Sequence, residues 1–373
     1  MDLDFDKYKA QQFCDNPDCD EYGKVGANNI RTHSRLHHQV YCNACKQIWV
    51  ITKGTFFYNL KAPVSLVLEV LKLLSEGMGL RAVCRSKGVT TDAASAWVLK
   101  AAEHVNEVTV YLERDMHVSQ CQIDEFWSYI FKKKAHLSED EVDLEELGDR
   151  WTFVNVLPRS GFIQTVHHGK RTQEEGKEFV KTIKHNSDGQ APLFLSDGWP
   201  SYPEILASVY SHEEPVPYRG RGRPRKPIRV LDENLKYAQV IKHKEGGRLI
   251  EIEKRVIWGT EEEIIDVIQQ ERRGQTINTS YVESRNGNYR KDNKRLTRRS
   301  SCQSKEVALH DAQIDFMTGI YNFVNENRAF RQCINPNAKR FEVKYKKYSP
   351  AMLEGFTDHC LTLEELLMWR VPK

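Results

Sequence analysis

A chain of 373 residues with 40% hydrophobic and 29% charged side chains has the length for two or three domains and the composition of a globular protein. Its net charge of +3 conceals seven acids in 139–149 and basic stretches at 219–227 and 285–299, a distribution that can steer a polyanion where the bulk charge would not. The acidic start lacks the apolar core of a secretory signal. No apolar run approaches the ~18 residues that span a bilayer, so a cytoplasmic protein with no membrane partner is expected.

The first 60 residues read as a metal-stapled unit. Cys14-x4-Cys19 and Cys42-x2-Cys45 flank a spacer of 22 residues. In a reducing compartment, nine cysteines argue against a disulfide framework and for metal binding by the clustered four. Two short Cys pairs supply the thiolates of one tetrahedral zinc. His33, His37 and His38 are expected at the surface, because the thiolate set is already complete. Cys84, Cys121, Cys302, Cys333 and Cys360 are scattered and expected as small buried residues.

From 61 to 115 the periodicity predicts three helices. Pro63 suits a first turn, and Leu66, Val67, Val70, Leu71 and Leu74 recur at helical spacing. A short helix over Leu80–Lys87 ends at Gly88, and Thr90-Thr91-Asp92 caps a third helix running to about His104. Helix, short helix, turn, helix is the helix-turn-helix pattern, whose last helix enters a major groove. A plain helical bundle has the same periodicity.

Beyond 116 the pattern changes. Strand-like runs cover 120–131, 151–157 and 161–167, followed by a helix over 172–184, a strand over 192–197 and a helix over 202–209. Two strands at 237–243 and Arg248–Trp258 precede helices over 261–270, 280–290 and 305–325, the last long and amphipathic. Such a mixture predicts an α/β domain. The acidic 136–149 segment reads as a solvated insertion.

Three acids stand out within this domain. Asp124 lies in the run Gln122-Ile123-Asp124-Glu125-Phe126-Trp127, Asp197 follows Leu193-Phe194-Leu195-Ser196, and Glu283 opens a basic helix. Each alone reads as a solvated or capping residue; the combination points to chemistry. Ligands gather beyond the carboxyl ends of strands in α/β sheets, and Mg²⁺ favours one or two carboxylates plus waters and phosphates. The trio therefore matches a site for two Mg²⁺ (or Mn²⁺) ions. Such ions, roughly 3.5–4 Å apart, clamp the attacking and leaving oxygens of an in-line phosphoryl displacement. By strand alternation Glu125 points to the opposite face and is expected outside the site, with Trp127 in the core. Trp199 is either a packed ring or a platform for a base.

Arg290 lies two helical turns after Glu283 and faces the same way, placed to hold a scissile phosphate, as is Asn286 one turn on. Arg285, Lys291, Lys294, Arg295, Arg298 and Arg299 make the same stretch a DNA-binding face or, in the plainer reading, a solvated basic one. Arg219, Arg221, Arg223, Arg225 and Lys226 sit among glycines and prolines that keep the chain extended. The segment matches the core of an AT-hook and equally a basic linker that tracks phosphates.

Taken in order, several motifs resemble a bacterial insertion-sequence transposase of the DDE class, on the insertion-sequence-one-like branch with an N-terminal zinc ribbon. They are the Cys14/Cys19/Cys42/Cys45 ribbon with Gly54-Thr55-Phe56-Phe57-Tyr58, Ile123-Asp124-Glu125-Phe126-Trp127, Ser196-Asp197-Gly198-Trp199, the 221–227 arm, 278–290, Tyr321-Asn322-Phe323 and Ser349-Pro350-Ala351-Met352. The resemblance implies an RNase H-like catalytic domain over 116–300, preceded by a zinc ribbon (1–60) and a helix-turn-helix domain (61–115) and followed by a C-terminal helix and tail (301–373). It implies Asp124, Asp197 and Glu283 as metal ligands, with Arg290 as the basic residue seven positions on. The long gap from Asp197 to Glu283 implies an inserted β-subdomain at about 210–260. The activity implied is metal-dependent cleavage and 3′-OH strand transfer on double-stranded DNA, at element ends and target, by a homodimer or larger assembly. A transposase-derived regulator without catalysis, or an RNase H-like nuclease, would carry the same domains.

Overall fold

The computed structural model describes residues 3–141, 144, 146–217, 225–271, 274–297 and 302–372. Arg219, Arg221, Arg223, Arg298 and Arg299 lie outside the described residues. The chain parts into two compact units. One comprises 1–112, 292–294 and 308–373, the other 113–291 and 295–307.

The first unit opens with helix α1 (Phe5–Ala10), capped by the Asp4 carboxylate, which accepts from the Asp6 and Lys7 amides. An antiparallel three-stranded sheet follows, β1 (Ile30–Ser34), β2 (Gln39–Cys42) and β3 (Ile48–Val50), in that order. Helices α2 (Val64–Ser75) and α3 (Leu80–Lys87) come next. Gly88 ends α3 at φ +66°, the left-handed conformation that glycine adopts without a side-chain clash. Helix α4 runs over Thr91–Glu113, nine residues past the expected end at His104. Apolar residues keep recurring to Val105 and Val108, both buried, and nothing in 104–112 breaks the helix.

The second unit is built on a six-stranded mixed sheet. Its strands are β4 (Gln120–Ile130), β5 (Gly148–Leu157), β6 (Phe162–Gly169), β7 (Leu193–Ser196), β10 (Lys236–Glu245) and β11 (Arg248–Trp258). Helix α5 (Gln173–His185) lies between β6 and β7 in sequence. Helix α6 (Tyr202–Val209) and a two-stranded ribbon, β8 (Ser211–Glu214) with β9 (Ile228–Leu231), lie between β7 and β10. The spatial order is β11-β10-β7-β4-β5-β6. β4, β5 and β6 form an antiparallel meander, while β7 runs parallel to both β4 and β10. The 210–260 stretch is thus not a separate β-subdomain. Only β8 and β9 stand apart; β10 extends the main sheet because Tyr237, Ala238 and Val240 are apolar and buried beside β7. Helix α7 (Glu261–Glu271) sets Ile264 and Ile268 into a cluster with Leu193, Leu195, Ala238 and Val240. Each isoleucine contributes about 1.5–3 kcal/mol when fully buried. Helix α8 (Ser280–Asp292) closes the unit. It stops well short of the basic run to 299, and a 3₁₀ turn over Lys294–Leu296 follows.

The chain then returns to the first unit. Helix α9 (Val307–Gly319) continues as a π-turn over Ile320–Val324. The expected amphipathic helix is instead buried around most of its circumference, from Leu309 and His310 to Phe316 and Met317. A Cβ on Gly319 would meet Val105 Cγ1 at 2.0 Å, so α9 and α4 touch backbone to side chain there. A hairpin, β12 (Gln332–Cys333) with β13 (Tyr345–Lys346), and two short helices, α10 (Pro350–Leu353) and α11 (Leu363–Met368), complete the chain. The Phe56 amide donates to the Leu367 carbonyl, and Arg370 donates to the Phe13 carbonyl and the Asp15 carboxylate. The ribbon and the C-terminal residues therefore share one core.

Cys84 and Cys121 are buried as expected, but Cys302 and Cys333 are exposed and Cys360 half-buried. In the described part of the acidic segment Glu139, Asp140 and Glu146 are exposed, while Glu141, paired with Lys132, and Asp149 are half-buried. Among the described residues no helix is long and apolar enough to cross a membrane.

Candidate metal centres

In the ribbon, the knuckles before β1 and after β2 bring together the sulfurs of Cys14, Cys19, Cys42 and Cys45, all within 4.8 Å of one another. Cys14 and Cys45 are 3.5 Å apart and Cys19 and Cys42 3.9 Å. Four thiolates about 2.3 Å from a central zinc stand roughly 3.8 Å apart at the corners of a tetrahedron, so the set fits one structural zinc. Burial raises the Cys14 thiol. Cys45 is raised by burial too, but the Gln47 amide and its thiol neighbours outweigh this and bring it down to about 7.

The second cluster lies in the mixed sheet. β4 pairs with β7 up to Ile123 opposite Ser196, where β7 ends. β4 continues for seven residues and loses its neighbour on that side, leaving a notch at the carboxyl end of β7. Asp124 is the next residue of β4 and Asp197 the first residue after β7, so both border the notch. Glu125 belongs to the opposite sheet face, as alternation requires. Its longer side chain nevertheless reaches round the open end: carboxylate oxygens of Asp124, Glu125 and Asp197 lie within 4.8 Å of one another. The expectation that Glu125 stands outside the site is therefore corrected, because no strand separates the two faces at this point.

Each acid is held by a different element. Asp124 accepts from its neighbour's amide, Glu125 N, at 2.9 Å and from Asn286 Nδ2 on α8 at 2.8 Å. Asp197 accepts from Trp199 N at 3.0 Å. Glu125 accepts from the Tyr202 hydroxyl of α6 at 2.7 Å and pairs with Arg171. The Arg171 guanidinium is sandwiched between Trp151 at 4.9 Å and Trp199 at 5.0 Å. Trp199, only 9% exposed, also packs on Phe153 and Tyr202, so it is a packed ring and not a free stacking platform. Trp127 is half-buried against Tyr129, under Lys133, and not in the core.

Such crowding shows in the protonation of the acids. Burial, then the charges of Asp197 and Glu125, push Asp124 up to about 7. Burial also raises Asp197, with Glu283 adding to the rise and Arg171 and Lys242 opposing it. Glu125 is raised by burial and by Asp197. Carboxylates that resist ionisation side by side are a ready binding site for a cation.

Helix α8 supplies the rest, and Gln122 fixes where it starts. Gln122 is fully buried on β4, on the same face as Asp124. Its Oε1 accepts from Tyr281 N and Val282 N, and its Nε2 donates to the Asn278 carbonyl. Two of the amides orphaned at a helix start are thereby met by a strand side chain. Glu283 sits one turn into α8, outside the three-acid cluster. Lys242 of β10 and the Thr279 hydroxyl hold its carboxylate. Asn286 is buried, and its Oδ1 has no hydrogen-bond partner while its Nδ2 is committed to Asp124. The Arg290 guanidinium lies 5.7 Å from the Phe126 ring. Thus Asp124, Asp197, Glu283 and Arg290 fall in one unit, but only the two aspartates are in direct proximity.

Arg225, Lys226, Lys291 and Lys294 are exposed, and Arg285 is half-buried. Arg295 is drawn inward, where burial lowers its pKa against the pull of Glu306, which suits it less to contact phosphate. The sequence reading missed Gln122, Arg171, Tyr202 and Lys242. Gln122 alone carried a readable signal, a polar residue two positions before Asp124 in an otherwise apolar strand.

No protein-family model matches the chain, and no curated protein matches it.

Proposed function

We propose that the chain is a DNA transposase of the DDE class, with the mixed sheet as an RNase H-like catalytic domain. The observation that carries this reading is the convergence of Asp124 and Asp197, with Glu125, in a notch at the carboxyl end of β7, beside the middle of β4. Asp124 and Asp197 would hold two Mg²⁺ or Mn²⁺ ions, with Glu283 and Glu125 on either side. Such ions, when bound, activate an attacking oxygen and offset the charge that develops at phosphorus. Asn286 Nδ2 orients the Asp124 carboxylate, and its unpartnered carbonyl oxygen offers a further hard donor. Lys242 and the Thr279 hydroxyl hold the Glu283 carboxylate in place. Arg290, Arg285 and Lys291 give α8 positive charge for a DNA backbone, and catalysis is chiefly positioning and electrostatics. Helices α2 to α4 and the exposed Arg225 and Lys226 are assigned to terminal-repeat binding, and the joining of two ends calls for a homodimer or larger assembly.

Asp197→Asn tests the reading. Strand transfer of end-containing DNA in Mg²⁺ should fall by at least 10³-fold, in the range of lost metal or electrostatic catalysis, with end binding retained. Undiminished cutting by this variant would refute the metal assignment. Cleavage of RNA–DNA hybrids in preference to DNA ends would make the protein a nuclease instead.

A further inference from the structure

The hairpin formed by β12 and β13 has a composition that the metal centres do not use. Between 328 and 348 the chain carries seven cations and one acid, Glu342. Arg331, Lys339, Arg340, Lys344 and Lys346 are exposed and take part in no ion pair among the described residues; Lys347 alone is bridged, to Glu326. Aromatic rings interleave with the cations. Arg331 lies over the Tyr345 ring at 4.4 Å and Lys346 over the Tyr348 ring at 5.1 Å. Phe341, at the far end of the hairpin, is 94% exposed.

The base of the hairpin is ordered by specific bonds. Asn327 N donates to the Tyr348 carbonyl, Ile334 N to the Lys344 carbonyl, and the Tyr348 hydroxyl to Gln332 Oε1. A tethered tip therefore presents Phe341 between Arg340 and Glu342. A protein partner is the weaker fit, since interface cores are depleted of charge, and of lysine in particular. Exposed cations around an exposed Phe341 ring suit a nucleic acid strand, whose phosphates take the cations and whose bases offer a π-face to the ring. A duplex hides those faces.

We propose that the 328–348 hairpin is an arm that binds single-stranded nucleic acid, with Phe341 as a base-stacking residue. The inference goes beyond the transposase reading and is independent of the metal site. It is tested with the full-length chain, without added Mg²⁺ or Mn²⁺, by anisotropy of labelled oligothymidine and of a labelled duplex across a range of salt. The variant K339A/R340A/K344A/K346A should lower the salt slope for oligothymidine by roughly 0.7 per lost phosphate contact, up to about 3 in all. Phe341→Leu should weaken oligothymidine roughly tenfold and duplex less than twofold, while Phe341→Trp should bind as wild type. Thermal denaturation confirms that the exposed substitutions leave the fold intact. An unchanged salt slope, or full binding by Phe341→Leu, overturns the proposal. So does equal loss on strand and duplex. A change in sedimentation of the DNA-free variant would make the hairpin a contact between copies of the chain, and that too overturns it.

Discussion

Asp124 carries the cost of the carboxylate cluster. Its carboxyl is pushed up to about 7, whereas an unfolded aspartate titrates near 3.9. The folded state therefore binds the proton more tightly. That contribution is fully present below about pH 4 and is lost as pH rises towards about 7. Metal-free Asp124→Asn protein should accordingly be more stable than wild type at about pH 8, by on the order of 1–4 kcal/mol, with the gap closing near pH 4. Chemical denaturation at the two pH values checks this, and a gap independent of pH would show that the crowding does not oppose folding. The same residues show what a sequence discloses. Asp197 is legible because it follows a short apolar run and precedes Gly198-Trp199. Glu125 is placed on the correct face by alternation, yet its participation depends on β7 ending at Ser196, and strand length relative to a neighbour is a property of pairing. Arg171, Tyr202 and Lys242 come from three separate segments, and only the tertiary fold sets them around the notch.

Helix α8 owes its start to a distant strand. Periodicity over 280–290 predicts the helix and its basic face, and the structure agrees to within two residues. What fixes its start is remote in sequence: Gln122, over 150 residues earlier, receives two of its first amides. Gln122→Leu would leave those amides and the Asn278 carbonyl unmet in a buried place, at about 1–3 kcal/mol for each group left wholly unsatisfied. The expected result is a chain destabilised by that order in urea, with strand transfer reduced through misplacement of Glu283. A variant with wild-type stability would mean that α8 is positioned by Val282 and Tyr289 packing alone. Periodicity predicts β10 as a strand but leaves open which sheet it joins. Its pairing with β7 follows from buried Tyr237, Ala238 and Val240, residues that fit an inner strand of either sheet.

At the scale of the molecule, the domain boundaries read from sequence follow chain order, whereas compact unit one gathers 1–112 with 308–373. Local patterns reveal helices and a cysteine cluster; they do not report that Tyr8 donates to Glu364, or that Arg370 packs 4.4 Å from the Phe13 ring. This closure links the zinc site to the far end of the chain. Metal analysis should give one zinc per chain. Its removal, or Cys14→Ser, should raise hydrogen exchange in α11 and around Phe56 as well as in β1 to β3, with β4 and β5 unaffected. Protection lost only within 14–50 would mean that the ribbon folds apart from the C-terminal segment.

The Lys242–Glu283 pair bears on the charge balance of the site. With all four ionised, as a bound cation favours, Asp124, Glu125, Asp197 and Glu283 carry four negative charges, of which Arg171 and Lys242, paired with Glu125 and Glu283 among the described residues, offset two. One divalent ion brings that balance to zero. A second overshoots it, unless a phosphate enters with it. On the proposed function a second ion would therefore enter together with the polyanionic substrate, whose phosphate supplies the charge that the protein acids lack.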